Sequence, residues 1–150
     1  MIIRDILNMK GGAIFSISPD GKVADAVSLM VEHDIGSLVV MDGDRMAGML
    51  TFREVLKALD AQRGNLGDLR VAGIMTADPV CGTPEDTLDH LREVMTQHHV
   101  RYLPVLEQGK LLGVISFHDV AKSVIKETSF ENRLLKRYIR NWPEAEEPLK

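Results

Sequence analysis

Shifted by 65 residues, from Pro19 onto Pro84, this sequence lies over itself. The same shift brings Met30 onto Met95, His33 onto His98, Leu38 onto Leu103, Val40 onto Val105, Gly48 onto Gly113, Phe52 onto Phe117 and Val55 onto Val120. No gap is needed between Ser18 and Lys57. Upstream, Asp5-Ile6-Leu7-Asn8 overlies Gly73-Ile74-Met75-Thr76 only if the first copy holds three additional residues around Lys10-Gly11-Gly12. The period is too long for a solenoid of stacked units. Two copies predict a pseudo-twofold arrangement in which each half buries the face that the other leaves open.

Each copy carries the same succession of signals. A short apolar run, Ile14 to Ile17 or its partner around Val80, leads into a turn at Ser18-Pro19-Asp20-Gly21 or Thr83-Pro84-Glu85-Asp86. Val23, Ala26, Val27 and Met30 then recur at helical spacing, as do Leu88, Leu91 and Met95. Leu38-Val39-Val40-Met41 and Leu103-Pro104-Val105-Leu106 read as strands, the second lying at an edge or beginning at Pro104, which has no N–H to donate. Glycine-bearing turns at Asp42-Gly43-Asp44-Arg45 and Glu107-Gln108-Gly109-Lys110 predict hairpins. The returning strands, Met46 to Leu50 and Leu111 to Ile115, run into helices that start after Thr51 and Ser116.

The expected fold is α/β (α+β): two pseudo-twofold β-α-β-β-α repeats packed sheet to sheet, plus a C-terminal helix. Residues 1–62 form the first repeat, 63–69 the linker and 70–126 the second repeat, with a C-terminal helix and mobile tail over 127–150. Phe130, Leu134 and Tyr138 give that last helix its spacing from Phe130 to Trp142, and Pro143 ends it.

Composition narrows the function. A net charge of −4 speaks against binding a nucleic-acid backbone, which needs concentrated positive charge. The single cysteine, Cys81, permits no internal disulfide and suits a reducing, cytoplasmic setting. No apolar run resembles a signal peptide or a membrane helix, so no membrane partner is expected.

The chemistry concentrates at the strand-to-helix junctions, Gly48-Met49-Leu50-Thr51-Phe52-Arg53-Glu54 and Gly113-Val114-Ile115-Ser116-Phe117-His118-Asp119. A hydroxyl followed three residues later by an acid is the signature of a helix capping box. The same groups also suit a nucleotide. A helix N-terminus attracts phosphate, the hydroxyl can donate to it, and an acid can accept from both ribose hydroxyls. Arg53 or His118 can neutralise phosphate charge. Occurring twice in one register, the pattern carries more weight than either copy alone.

The duplication resembles a CBS-domain pair, or Bateman module, of the stand-alone bacterial type. The resemblance rests on Ile74-Met75-Thr76, Arg101-Tyr102-Leu103-Pro104-Val105 and Gly113 to Asp119, with weaker echoes at Arg4 to Leu7, Gly36 to Val40 and Gly48 to Glu54. It spans about residues 3 to 125. It implies two clefts for AMP, ADP, ATP, NAD or S-adenosylmethionine, held as a regulatory ligand with no catalytic cofactor and no metal. The first would use Ser116, Phe117, His118 and the ribose-binding Asp119, facing Ala13, Ile14, Phe15, Ser16, Ile35 and Gly36. Lys10 and Gly12 border it, as a phosphate contact or a flexible turn. The second would use Thr51, Arg53 and Glu54, facing Thr76, Asp78, Pro79, Val80, Arg101 and Tyr102. Glu54 stands where the family usually has Asp, and Val39 where the second copy has Pro104, so the Asp119 cleft is the one expected to be occupied.

The remaining candidates read as structural. His98 and His99 are adjacent and cannot face one metal together, His33 fits a structural role, and Cys81 lacks a base. Lys136, Arg137 and Arg140 suit a solvated helix face or contact with an acidic partner rather than nucleic acid, and the methionines suit irregular core gaps or, for some, an adaptable interface. The expected protein is a non-enzymatic signalling module, a homodimer through its helices, that transmits ligand occupancy to a regulated partner of unknown identity. The rivals are an unliganded dimeric scaffold and a nucleotide-hydrolysing enzyme, the latter without a visible nucleophile–base pair.

Overall fold

The computed structural model describes residues 1–140. Its elements are α1 (Ile3–Lys10), β1 (Ser16–Ile17), α2 (Val23–His33), β2 (Ser37–Asp42), β3 (Arg45–Thr51), α3 (Phe52–Ala61), a 3-10 turn at Val71–Gly73, α4 (Leu88–His98), β4 (Tyr102–Glu107), β5 (Lys110–Ser116) and α5 (Phe117–Arg140). The mixed α/β class and the hairpin-centred repeats are as expected. Repetition extends to fine detail. Asp34 ends α2 and His99 ends α4, both left-handed, with φ of 51° and 53°. Each hairpin carries a register shift at the same place, Val40/Met41 in one and Val105/Leu106 in the other.

The copies differ at their first strand. In the first, β1 runs parallel to β2, and the Val39 N–H donates to the Phe15 carbonyl at 3.0 Å. In the second, Pro104 occupies the place of Val39 and has no N–H to give. The apolar run around Val80 is therefore not a strand. Only Gly82 pairs there, donating to the Pro104 carbonyl at 2.9 Å and accepting from the Leu106 N–H at 2.9 Å. The first sheet has three strands, β1-β2-β3, and the second two, β4-β5. β1 is also shorter than the Ile14 to Ile17 run: Ile14 and Phe15 precede it, partly exposed.

Two cores form, and each draws on both copies. Ile3 and Ile6 of α1 are buried among Leu88, Leu91, Met95, Leu103, Val105, Ile115 and Val120 of the second repeat. Val71 is buried among Val23, Ala26, Met30, Leu38, Val40, Leu50 and Val55 of the first, with Ile74 and Met75 packed alongside. The N-terminal segments are thus exchanged between repeats. Backbone bonds fasten both exchanges: Ile3 N–H to the Asp86 carbonyl and Val71 N–H to the Gly21 carbonyl, each 2.9 Å. Fully burying Ile3 contributes on the order of 1.5–3 kcal/mol. Arg4 adds ion pairs to Glu85 and Glu107, both 2.6 Å, at the exposed margin.

The two sheets meet through β3 and β5. The helix expected from Phe130 is present to Arg140, but as the second half of α5 rather than a separate element. It follows Val120 and Ser123, the buried positions of that helix, without a break. Trp142, the stop at Pro143 and the acidic tail lie outside the described residues. His98 lies in the last turn of α4 and His99 caps it.

Candidate functional site

Both junction motifs form capping boxes. At the start of α5, the Ser116 N–H donates to Asp119 Oδ2 at 2.8 Å and the Asp119 N–H donates to Ser116 Oγ at 3.1 Å. At the start of α3, the Thr51 N–H donates to Glu54 Oε2 at 3.1 Å, the Thr51 hydroxyl donates to the same oxygen, and the Arg53 N–H donates to Thr51 Oγ1 at 3.3 Å. The next N–H of each helix is taken by the segment before the hairpin of its own repeat: Phe52 by the Gly36 carbonyl at 2.9 Å, Phe117 by the Arg101 carbonyl at 2.7 Å. The hydroxyls and acids therefore serve their helices.

The space beside them is open all the same. A cavity of about 590 Å³ lies against the start of α5, and one of about 510 Å³ against the start of α3. The larger brings together Lys10, Ala13, Ile14, Phe15, Ile35, Gly36, Ser116, Phe117 and His118. Three residues assigned to it from the sequence do not line it: Gly12, Ser16 and Asp119. Ser16 is paired with Val39 in the β1–β2 ladder. Gly12 lies in the connection after α1, with open space around its Cα. Asp119 is engaged by Lys10, whose ammonium donates to Oδ2 at 2.6 Å and to the Val114 carbonyl at 2.7 Å.

The smaller cavity is lined by Thr51, Arg53, Glu54, Thr76, Asp78, Pro79, Val80, Arg101 and Tyr102. Arg101 and Tyr102 also line the larger one, so they form a shared wall rather than belonging to one cleft. Tyr102 meets Phe52 edge-on at 6.5 Å, and Arg101 sits 5.8 Å above the Phe52 ring. Gly36 lets the Tyr102 hydroxyl lie close over its backbone, where a Cβ would strike it and displace the ring. Burial raises the Tyr102 phenol above its ordinary pKa, against the opposing pull of Arg101.

Electrostatics separate the clefts. Burial alone would raise the Asp119 carboxyl, but Lys10 and the Ser116 N–H outweigh it and hold the group below its ordinary value. Among the described residues, Glu54 has no lysine partner. Its Oε1 accepts from the Thr76 hydroxyl at 2.8 Å, and the Thr76 backbone pairs with Met49 where Val114 instead meets the Lys10 side chain.

Further lining residues were not named from sequence: Gly11, Asp34, Ser37, Val39, Val114 and Ala121 in the larger cavity, Met49, Phe52, Leu56, His99 and Val100 in the smaller. The 65-residue shift could have found several, since it carries Phe117 onto Phe52, Asp34 onto His99 and Ile35 onto Val100. His33 stacks on Phe15 at 4.5 Å, which fits a supporting role. Burial raises the Cys81 thiol above its ordinary pKa, the opposite of an activated nucleophile. Among the described residues, no group of three His, Cys, Asp or Glu is placed to hold a metal, and no helix is long and apolar enough to cross a membrane.

The CBS-domain family model matches twice in tandem, over residues 3–61 and 71–126. This chain belongs to the CBS-domain family. The CBS domain-containing protein YhcV of Bacillus subtilis is 32% identical over 108 residues, covering 72% of this chain and 76% of that one. A putative signal-transduction protein with CBS domains from Burkholderia ambifaria superposes with a TM-score of 0.79 at 38% identity, covering 84% of this chain and 95% of that structure. The CBS domain pair of protein MJ0100, solved with 5'-methylthioadenosine and S-adenosyl-L-methionine, superposes with a TM-score of 0.74 at 19% identity, covering 85% and 98%. At that identity it attests to the CBS fold.

Proposed function

We propose that this CBS pair is a regulatory module that binds an adenosine compound between its repeats and passes occupancy to a partner protein. The observation that carries the reading is the pair of open cavities, about 590 and 510 Å³, at the two strand-to-helix junctions, each bordered by both repeats. Each is of a size for a nucleotide-like ligand. The MJ0100 pair, which holds two adenosine compounds, lends support at the level of fold. Because residues of both repeats border each cavity, an occupant would couple the halves and favour one relative arrangement over others. The lone Cys81 fits a reducing, cytoplasmic setting.

A thermal-shift panel of AMP, ADP, ATP, NAD and S-adenosylmethionine tests the reading. Ligand at about 100-fold its Kd stabilises a protein by about 2.7 kcal/mol, a shift of several degrees. At least one compound is expected to give it, and Asp119→Ala to remove most of it; a flat panel refutes adenosine binding. A second reading, an interaction scaffold, is favoured by the exposed Phe130, Leu134 and Leu135 on α5. It predicts a homodimer whose mass by light scattering is the same with Asp119→Ala and without nucleotide.

A further inference from the structure

The position facing the acid differs between the clefts. In the smaller it is a neutral hydroxyl, Thr76, and in the larger a cation, Lys10. Lys10 stands there because of the three additional residues that the first copy holds and the second lacks. Its side chain lies on the wall of the cavity and is 34% exposed, against 16% for Asp119. Behind the pair, Lys122 and Lys126 line a crevice of about 60 Å³ together with Lys10 and Asp119. Gly11, with φ of 91°, and Gly12 have open space around them, so the segment after the lysine presents nothing bulky to an approaching ligand.

We propose that Lys10 makes the larger cleft select phosphorylated adenosine compounds over neutral ones. The inference rests on the adenosine reading given above. Vicinal ribose hydroxyls take Asp119 in place of Lys10, and the released ammonium turns to the ligand's phosphate. Lysine suits the exchange because it is a compact charge on a flexible four-carbon stem. A ligand without phosphate displaces the same ammonium and offers it no anion in return. A phosphate forms a charge-assisted bond in exchange for the one lost.

Isothermal titration of AMP and adenosine against the wild type, Lys10→Met and Lys10→Arg tests this, repeated in a Glu54→Ala background to isolate the larger cleft. Lys10→Met is expected to weaken AMP by about tenfold to a hundredfold, the worth of a hydrogen bond to a charged group. The same variant is expected to leave adenosine unchanged or tighter, because Asp119 is freed, and Lys10→Arg to restore AMP. A lysine that merely pins α1 would move both ligands in the same direction, and that outcome overturns the proposal. So does an unchanged ratio in a wild type that binds both, which leaves adenosine binding intact. A wild type that binds neither removes the adenosine reading itself.

Discussion

The two clefts are built around matching junction motifs, yet among the described residues one acid is ion-paired and the other is not. Asp119 is held by Lys10, which stands between it and the cavity lining, whereas Glu54 lines its own cavity and accepts from two hydroxyls and a backbone N–H. The difference arises outside the junction motifs. In the smaller cleft the segment before the apolar run around Val80 meets β3 and pairs by backbone at Thr76 and Met49. In the larger, the equivalent segment is the helix α1, which replaces that pairing with a lysine side chain on the Val114 carbonyl. Duplicated motifs thus acquire different electrostatics from what is laid against them.

The comparison can be broken most forcefully at its glycines. A Cβ on Gly48 would strike the Thr76 carbonyl, which is backbone and cannot yield without moving the chain. A Cβ on Gly113 would meet Leu7 Cδ2 at 2.9 Å, the end of a flexible side chain. Gly48→Ala is therefore expected to cost at least about 1–3 kcal/mol, the range for overpacking, and Gly113→Ala distinctly less. Urea unfolding of the two variants measures the gap; equal losses would mean that the β3 face is no more tightly covered than the β5 face.

Smaller effects are expected at the caps. Ser116→Ala removes the acceptor for the Asp119 N–H and Thr51→Val that for the Arg53 N–H, so each is expected to lower stability by about 1 kcal/mol. Similar losses in thermal unfolding would confirm that capping is the part of the site that the copies share.

The smallest effect sharpens the comparison through pH. Asp119 has a lowered carboxyl pKa in the folded protein, so its ion pair stabilises fully above the ordinary carboxylate value of about 3.9. That contribution is lost as pH falls through the lowered folded value. Lys10→Met is expected to reduce stability near pH 7 by up to about 1 kcal/mol, as for a pair with one exposed partner, and the deficit to close as the solution is acidified below about pH 4. Denaturant titrations at several pH values test this; a deficit independent of pH would mean that the lysine acts by packing.

Much of this was legible in the sequence. The 65-residue shift places the cleft walls opposite one another, and Pro19, the glycine turns and the helical apolar stripes locate the elements. What escaped depended on distance along the chain. Pro104 is visible, but the strand it removes lies more than twenty residues earlier, around Val80. Nothing local to Lys10 names Asp119, which lies 109 residues on. The junction motif was ambiguous for a physical reason, since a helix start asks the same hydroxyl and carboxylate of its cap as a nucleotide would ask of its site.

The crossed packing of Ile3, Ile6 and Val71 also sets a timetable for biosynthesis. The first core cannot close until Val71 has left the ribosome, beyond every strand and helix of its own repeat. Helix α1 is made before the second-repeat residues it packs against, yet eight residues are too few to hold a helix alone in water, so it must wait, unfolded, until the chain has been read through Val120. The segment that opens the first repeat is thus among the last to find its place.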